Sequence, residues 1–295
     1  MIGILINPVA GKGKPLKYLD KVVSYMKNKG FKSKLVYTKF RGHENEIVEK
    51  FVDEGIDKII IMGGDGTINE SLQKLLKHNV AILPLPLGTG DDYIKSVYET
   101  SDIDEILSKI GTGRIEKFPV GIVDTESDRF YFINGLGIGF DADVIHNINK
   151  IPFLKGHSLY LASIILSIFF FHAMEIRFNI DGLIKKRKKT LVTTIGLGKY
   201  LGGGMMLLPK IKSPSNHFDT SIIEEVNKFV FFKMLPLVPK GKHIQSSFVD
   251  YIKNVKSVII ESDKFIKFHL DGELMPYKYK KLDVSIVNNG VNIII

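Results

Sequence analysis

A chain of 295 residues with 44% hydrophobic and 25% charged side chains can bury a core, as one large domain or two ordinary ones. It has no cysteine, which excludes a disulfide, a thiolate metal site and a cysteine nucleophile. Lys and Arg outnumber Asp and Glu by 41 to 32, and the resulting formal charge of +9 suits an anionic partner: a nucleic acid, a nucleotide or an acidic membrane surface.

In chain order, residues 2–6 form an apolar run too short for a signal peptide and lacking its basic start, so they are expected to be a first buried strand. Residues 16–28 carry apolar positions at helical spacing, and Gly30 stops them. A second strand is expected at 34–38 and a helix at 44–54, ending near Gly55. The β-branched run Lys58-Ile59-Ile60-Ile61-Met62 suits a parallel strand covered on both faces. A helix at 68–76 and a strand at 80–85 follow. The alternation predicts an α/β domain with a mostly parallel sheet, whose ligands gather at the carboxyl ends of the strands.

From about Phe118 the texture changes. Strand-like segments at 118–123, 130–134, 189–197, 255–261, 265–270 and 282–288 predict a β-rich antiparallel domain. The expected division is residues 1–117 and 118–295. One apolar stretch, 158–174, has no Asp, Glu, Lys or Arg. Its length is at the lower edge of the ~17–25 residues that span a bilayer. A buried helix under a sheet is the better reading, because a central span would separate domains that share a site. A half-exposed Ile-Phe-Phe-Phe face touching a membrane is another.

The sharpest motif is Gly63-Gly64-Asp65-Gly66-Thr67, directly after the 58–62 strand and before a helix. Glycines at such a turn let the backbone approach a ligand, and the helix start favours an anion, usually phosphate. Asp65 would repel phosphates unless it binds a metal or handles a proton, both of which phosphoryl transfer needs. The plain alternative is a tight turn with a capping aspartate. A second loop, Leu85-Pro86-Leu87-Gly88-Thr89-Gly90-Asp91-Asp92, repeats the logic. A third, Asn7-Pro8-Val9-Ala10-Gly11-Lys12-Gly13-Lys14, offers lysines to phosphate oxygens. None of the three fits a P-loop or a dinucleotide fingerprint. The eight histidines show no metal-ligand spacing, and no Gly-x-Ser-x-Gly elbow is present.

Together, Asn7-Pro8-x-Ala10-Gly11-x-Gly13, Gly63-Gly64-Asp65-Gly66-Thr67 and Gly88-Thr89-Gly90-x-Asp92 resemble the diacylglycerol kinase catalytic-domain family. That family includes bacterial lipid kinases and the sphingosine and ceramide kinases. The likeness continues in Asn134-Gly135-x-Gly137-x-Gly139-Phe140-Asp141-Ala142, in Gly202-Gly203-Gly204-Met205 with Pro209, and in Leu270-Asp271-Gly272-Glu273. It therefore runs through almost the whole chain, in order.

The resemblance implies an α/β nucleotide domain of NAD kinase and diacylglycerol kinase type facing a β-rich lipid-substrate domain, with ATP and Mg²⁺ in the cleft. By position it assigns catalysis to Asp65, Asp92, Asp271 and Glu273, with Asp271 as candidate general base and Asp65, Asp92 and Glu273 as metal ligands. Asn7, Gly11, Lys12, Thr38, Gly63, Gly64, Gly66, Thr67, Gly88 and Thr89 would line the nucleotide. The residues suit this chemistry unaided, since phosphoryl transfer rests on positioning and charge neutralisation, and Mg²⁺ takes a few carboxylates with phosphate oxygens. Asp271-Gly272 is equally a strong hairpin-turn signal.

Two positions depart from the family pattern. Asp91 stands where relatives usually have Asn, adding negative charge beside the phosphates. Pro214-Ser215-Asn216 replaces an Asp-Asp-Gly stretch that helps hold a structural Mg²⁺ in bacterial members. The basic run Lys185-Lys186-Arg187-Lys188-Lys189, with Lys278, Lys280 and Lys281, reads as a solvated hairpin tip or as a face for anionic lipid head groups. Aromatic residues do not interleave with it as a nucleic-acid platform requires, so no nucleic-acid partner is expected.

The expected function is an ATP-dependent lipid kinase, cytoplasmic and peripherally associated with an anionic membrane, with diacylglycerol as default acceptor. An NAD kinase or a nucleotide-binding regulator without turnover are the alternatives. The family also supplies a precedent for homodimers.

Overall fold

Every residue of β1 (Ile2–Ile6) is buried, and only the first of β3 (Lys58–Gly63) is not. These runs are nearly all aliphatic because helices cover both faces of their sheet. The computed structural model describes residues 1–148 and 156–295. They form two compact units, one of Met1–Pro119 with Asn288–Ile295 and one of Val120–Val287.

In the first unit, β1 is followed by α1 (Lys14–Asn28), β2 (Ser33–Tyr37), α2 (His43–Asp53) and β3. Then come α3 (Asp65–Leu75), β4 (Ala81–Pro86), α4 (Asp92–Tyr98), α5 (Ile103–Thr112) and β5 (Ile115–Asp124), whose first half belongs here. The sheet order is β4-β3-β1-β2, all parallel. Asn292 and Ile293, near the chain's end, add a parallel pairing to Ala81 and Ile82 of β4. Val22 and Met26 of α1, Phe51 of α2 and Leu72 of α3 are buried against these strands. Burying one such side chain is worth roughly 1.5–3 kcal/mol. Close packing also fixes a glycine: a methyl group on Gly3 would lie 2.7 Å from the Phe51 ring.

The register sets the site. Ile6 lies opposite Met62 and Tyr37, and Gly63 opposite Pro86, so the four strands end at one level. The loops opening at Asn7, Thr38, Gly64 and Leu87 therefore start side by side. The strand order reverses direction around β1, the position where sheets of this kind hold ligands.

The second unit takes the rest of β5 and then β6 (Arg129–Phe132), β7 (Gly135–Gly139), α6 (Phe140–Ile148) and α7 (Gly156–Phe170). It continues with β8 (Met174–Ile180), β9 (Ile184–Gly196), β10 (Phe218–Glu224), α8 (Lys228–Met234), β11 (Val249–Val255) and β12 (Ser257–Glu261). It closes with β13 (Phe268–Leu270), β14 (Glu273–Leu274) and β15 (Lys281–Ile294), whose last residues return to the first unit. Its strands run β14-β13-β7-β9-β8-β12-β15, each pair antiparallel, with β10 and β11 added beside β9. One face carries a core including Phe132, Phe178, Phe218 and Phe268. In a second cluster Phe140, Val144, Ile164, Ile168 and Phe231 pack with Val192 and Ile223.

The helix expected at 158–174 runs instead over Gly156–Phe170, and Met174 already begins β8. Its side chains before Ala162 lie outside the described residues. It is not wholly buried: Ser163, Ile164, Ser167 and Ile168 face inward, while Ile165, Leu166, Phe169 and Phe170 are exposed. No helix among the described residues is long and apolar enough to cross a membrane.

The basic run on β9 is matched by carboxylates on neighbouring strands. Lys186 meets Asp250 at 2.7 Å and Lys189 meets Glu225 at 2.6 Å, while Arg187 pairs with Glu175 and Lys188 with Glu224. Lys278 pairs with Asp128 at 3.0 Å, and Lys281 approaches Glu261 at 3.8 Å. Because side chains alternate along β9, these ion pairs lie on both sides of the sheet and leave little unopposed charge for head groups.

Candidate active site

In the first unit, three strand-end loops are packed backbone against backbone. A methyl group on Gly11 would lie 2.3 Å from the Leu87 carbonyl oxygen and 2.8 Å from that of Gly88. One on Gly64 would meet the Gly88 Cα at 2.7 Å, and one on Gly88 the Gly64 Cα at 2.6 Å. One on Gly63 would strike the Thr67 side chain at 2.4 Å. Only residues without Cβ allow this approach.

Hydrogen bonds then tie the loops together. Asn7 Nδ2 donates to Thr67 Oγ1 at 3.0 Å, and Leu87 N donates to Gly63 O at 3.1 Å. Lys14 Nζ reaches Gly88 O at 2.9 Å, which turns this lysine into a clamp on the second loop. Gly11, Lys12 and Gly13 all have positive φ, so the first loop coils in the left-handed region; Lys12 itself is exposed. Thr38 is buried, with its N–H bound to Ile6 O at 2.8 Å. Thr89 is exposed at the tip of the second loop.

Asp65 opens α3, and no side chain caps that helix start. Backbone N–H groups of a first helical turn have no partner within the helix, so this end attracts anions. Gly66 and Thr67 belong to the same turn, where Thr67 N already donates to Gly64 O at 3.0 Å. Asp65 Oδ2 accepts from Tyr93 N at 3.2 Å, which brings it to the residue next to Asp92, the first of α4. Asp91 is buried with φ 55°, a conformation Asp and Asn tolerate, and its Oδ1 accepts from Gly88 N at 2.8 Å. Burial pushes its carboxyl up to about 6, against the opposing effects of the Gly88 N–H, Lys14 and Lys95.

Among the described residues no group of three or more acidic or histidine side chains could cage a metal ion. A Mg²⁺ carried by a nucleotide needs no such cage, since one or two carboxylates with phosphate oxygens and water suffice. Asp65 and Asp92, on adjoining loops, fit that role by donor chemistry.

In the second unit, Asp271 and Gly272 form the two-residue turn between β13 and β14, with φ of 50° and 87°. The turn signal and the motif describe the same residues. The Asp271 carboxylate accepts Ile133 N at 2.8 Å, Asn134 N at 2.9 Å and Gly135 N at 2.8 Å, locking the strand entry to the turn. Glu273 sits half-buried on β14, opposite Leu270.

A pair nearby, buried His269 with half-buried Asp141, is not visible in the sequence. His269 Nε2 lies 3.2 Å from Asp141 Oδ2, and its Nδ1 accepts from Gly272 N at 3.2 Å. That acceptor role puts the ring proton of the neutral form on Nε2, facing the carboxylate. A methyl group on Gly137 would lie 2.0 Å from the Asp141 oxygen and 2.2 Å from Nε2, so glycine in the middle of β7 makes room for the pair. A glycine inside a strand was the one available signal.

Asp141 also lines an apolar cavity of about 80 Å³, partly open to solvent. Phe140, Ile164, Val192, Met205 and Phe231 are among its other walls. Asp219, three residues after the Pro214-Ser215-Asn216 departure, is buried and engaged by protein donors: Tyr251 OH at 2.5 Å and Asn254 N at 3.3 Å. Its two oxygens are thus met without a cation.

Residues 1–123 match the family model described as the diacylglycerol kinase catalytic domain, and residues 135–292 the one described as the YegS C-terminal NAD kinase beta sandwich-like domain. A diacylglycerol kinase of Staphylococcus carnosus is 25% identical over 273 residues, 92% of this chain and 87% of that protein. One from Staphylococcus aureus is 24% identical over 299 residues, 98% and 93% of the two chains. A crystal structure of a diacylglycerol kinase from Bacillus anthracis superposes with a TM-score of 0.71 at 18% identity, covering 99% of this chain and 96% of that one, a likeness of fold. With both halves matched in order, the chain belongs to the diacylglycerol kinase catalytic-domain family of lipid kinases.

Proposed function

We propose that this chain transfers the γ-phosphoryl group of ATP to the free hydroxyl of diacylglycerol, giving phosphatidic acid, at the cytoplasmic surface of an anionic membrane. The observation that carries the phosphoryl-transfer reading is the glycine-packed loop assembly at the uncapped start of α3. Asn7, Gly11, Lys12 and Thr38, the Gly63, Gly64, Gly66 and Thr67 turn, and Gly88 and Thr89 are assigned to the nucleotide. The apolar cavity of the second unit supports a lipid acceptor, since walls of Phe, Ile, Val and Met suit an acyl chain.

Asp65 and Asp92 are assigned to Mg²⁺, which when bound would neutralise charge developing on the phosphate oxygens. In the transfer the acceptor oxygen bonds to the γ-phosphorus, the bond to ADP breaks, and the hydroxyl proton leaves to a base. Asp271, fixed by three backbone donors, is assigned that base role, with Glu273 orienting the acceptor. Positioning of this kind is worth several powers of ten when held rigidly.

The test is transfer from [γ-³²P]ATP with Mg²⁺ to a panel of diacylglycerol, phosphatidylglycerol and a sphingoid base, with NAD alongside. Labelled phosphatidic acid, reduced at least a hundredfold in Asp65→Asn, is the expected result. A labelled NADP band would instead make the chain an NAD kinase. ATP binding with no acceptor labelled would make it a regulator without turnover.

A further inference from the structure

The charge excess of this chain does not lie where its densest basic run is, because that run is neutralised on β9. Unopposed lysines lie elsewhere. Residues 228–245, covering α8 and the turns after it, contain Lys228, Lys233, Lys240 and Lys242 and no acidic residue. All four are exposed, and among the described residues none stands in an ion pair.

The same region exposes large apolar side chains. Phe229 is 68% exposed, and on α7 Phe169 is 55% and Phe170 72% exposed. Lysines are joined to these rings: Lys228 Nζ lies 4.5 Å from the Phe169 ring centre, and Lys233 Nζ 4.3 Å from that of Phe229. The first contact also ties α8 to the end of α7. On α7 the outer residues Ile165, Leu166, Phe169 and Phe170 fall one turn apart, so they make one charge-free stripe.

We propose that the outer faces of α7 and α8 form a membrane-docking surface, which inserts Phe169, Phe170 and Phe229 among the acyl chains of an anionic bilayer. Soluble proteins seldom leave so much aromatic surface contiguous and exposed without a partner. Aromatic rings beside lysines suit a bilayer surface: the rings enter the acyl boundary while the lysine stems reach back to phosphate oxygens. Four lysines with no acid among them match a negative surface, where each contributes roughly fivefold to partitioning. The inner sides of these helices point the same way. Ile164 of α7 with Phe231 and Met234 of α8 line the apolar cavity, so a docked α7–α8 pair would bring that cavity to the lipid. The inference stands on the surface itself and borrows only its purpose from the lipid-kinase reading.

The experiment is flotation of the full chain with vesicles of phosphatidylcholine alone and with 30 mol% (about a third) phosphatidylglycerol, a fraction typical of strongly anionic surfaces. It compares wild type with Phe170→Ser/Phe229→Ser and with Lys233→Gln/Lys240→Gln/Lys242→Gln, each checked for an unchanged melting temperature. Wild type should float with the anionic vesicles, and either variant should bind them at least tenfold more weakly. Wild type that stays in solution, or variants that float as wild type does, would overturn the proposal. A wild-type dimer in sedimentation without lipid, abolished by the phenylalanine changes, would give the face to a second copy and overturn it as well. Flotation needs no turnover, so its outcome is independent of whether any lipid is phosphorylated.

Discussion

Asp91→Asn should stabilise this protein above neutral pH and leave it unchanged in acid. Asp91 is 6% exposed, and its pKa is pushed from 3.8 up to about 6, chiefly by burial. A carboxyl with a raised folded pKa binds its proton more tightly in the folded state, so stability falls as pH rises from about 4 to about 6 and stays lower beyond. At about 1.4 kcal/mol per pH unit, that window amounts to about 3 kcal/mol. Asparagine keeps an oxygen for Gly88 N, tolerates the positive φ and removes the buried charge. Urea unfolding of both proteins at pH 4.5, 6 and 8 reads the effect. The variant should gain about 3 kcal/mol at pH 8, nearly as much at pH 6 and only about 1 kcal/mol at pH 4.5. A gap independent of pH, or a variant less stable at pH 8, would refute the idea that burial dominates over Lys14 and Lys95. If the loops hold phosphates, the same variant should also bind ATP more tightly at pH 8 than wild type does.

Gly137→Ala should drive Asp141 and His269 apart and lower stability by about 1–3 kcal/mol, with a shifted His269 ring resonance; an unchanged denaturation midpoint would contradict the close contact. Asp271→Asn should weaken folding by about 1–3 kcal/mol, because an amide has one acceptor oxygen where three N–H groups now meet two. Faster hydrogen exchange at Ile133 is the local signature, and undiminished protection there would count against it. Gly64→Ala and Gly88→Ala strain one shared contact, so their stability costs should fall short of additivity by at least about 0.5 kcal/mol in the double variant. Strict additivity would mean that the two loops do not touch in solution.

The first unit was legible because its signals are local. A β-branched run such as Lys58–Gly63 needs no distant partner to be recognised, and Gly30 ends α1 with a φ of 72°. The helix expected from residue 68 starts at Asp65, because the glycine turn is itself the helix's first turn. The second unit was less readable. β7 holds three glycines in five residues, and glycine has poor strand propensity, so Gly135–Gly139 reads as a loop motif. The expected 158–174 helix overran into β8, since apolar composition alone does not separate a helix end from a buried strand. The basic run was visible, but Asp250 and Glu224, which pair with it, lie more than thirty residues further along the chain.

The glycines show most clearly what a sequence motif states and what it conceals. In the first unit Gly11, Gly64 and Gly88 bring backbone to backbone, so the motif itself describes the surface offered to phosphates. In the second unit Gly137 makes room for two side chains, Asp141 and His269, which are 128 residues apart. A glycine of the first kind can be read from its neighbours in sequence, because a strand, a turn and a helix start surround it. The second kind is silent until the strands are paired, since only the register of β7 with β13 sets Gly137 against His269. The loop residues could therefore be named from the chain alone, whereas the acid–histidine pair needed the fold.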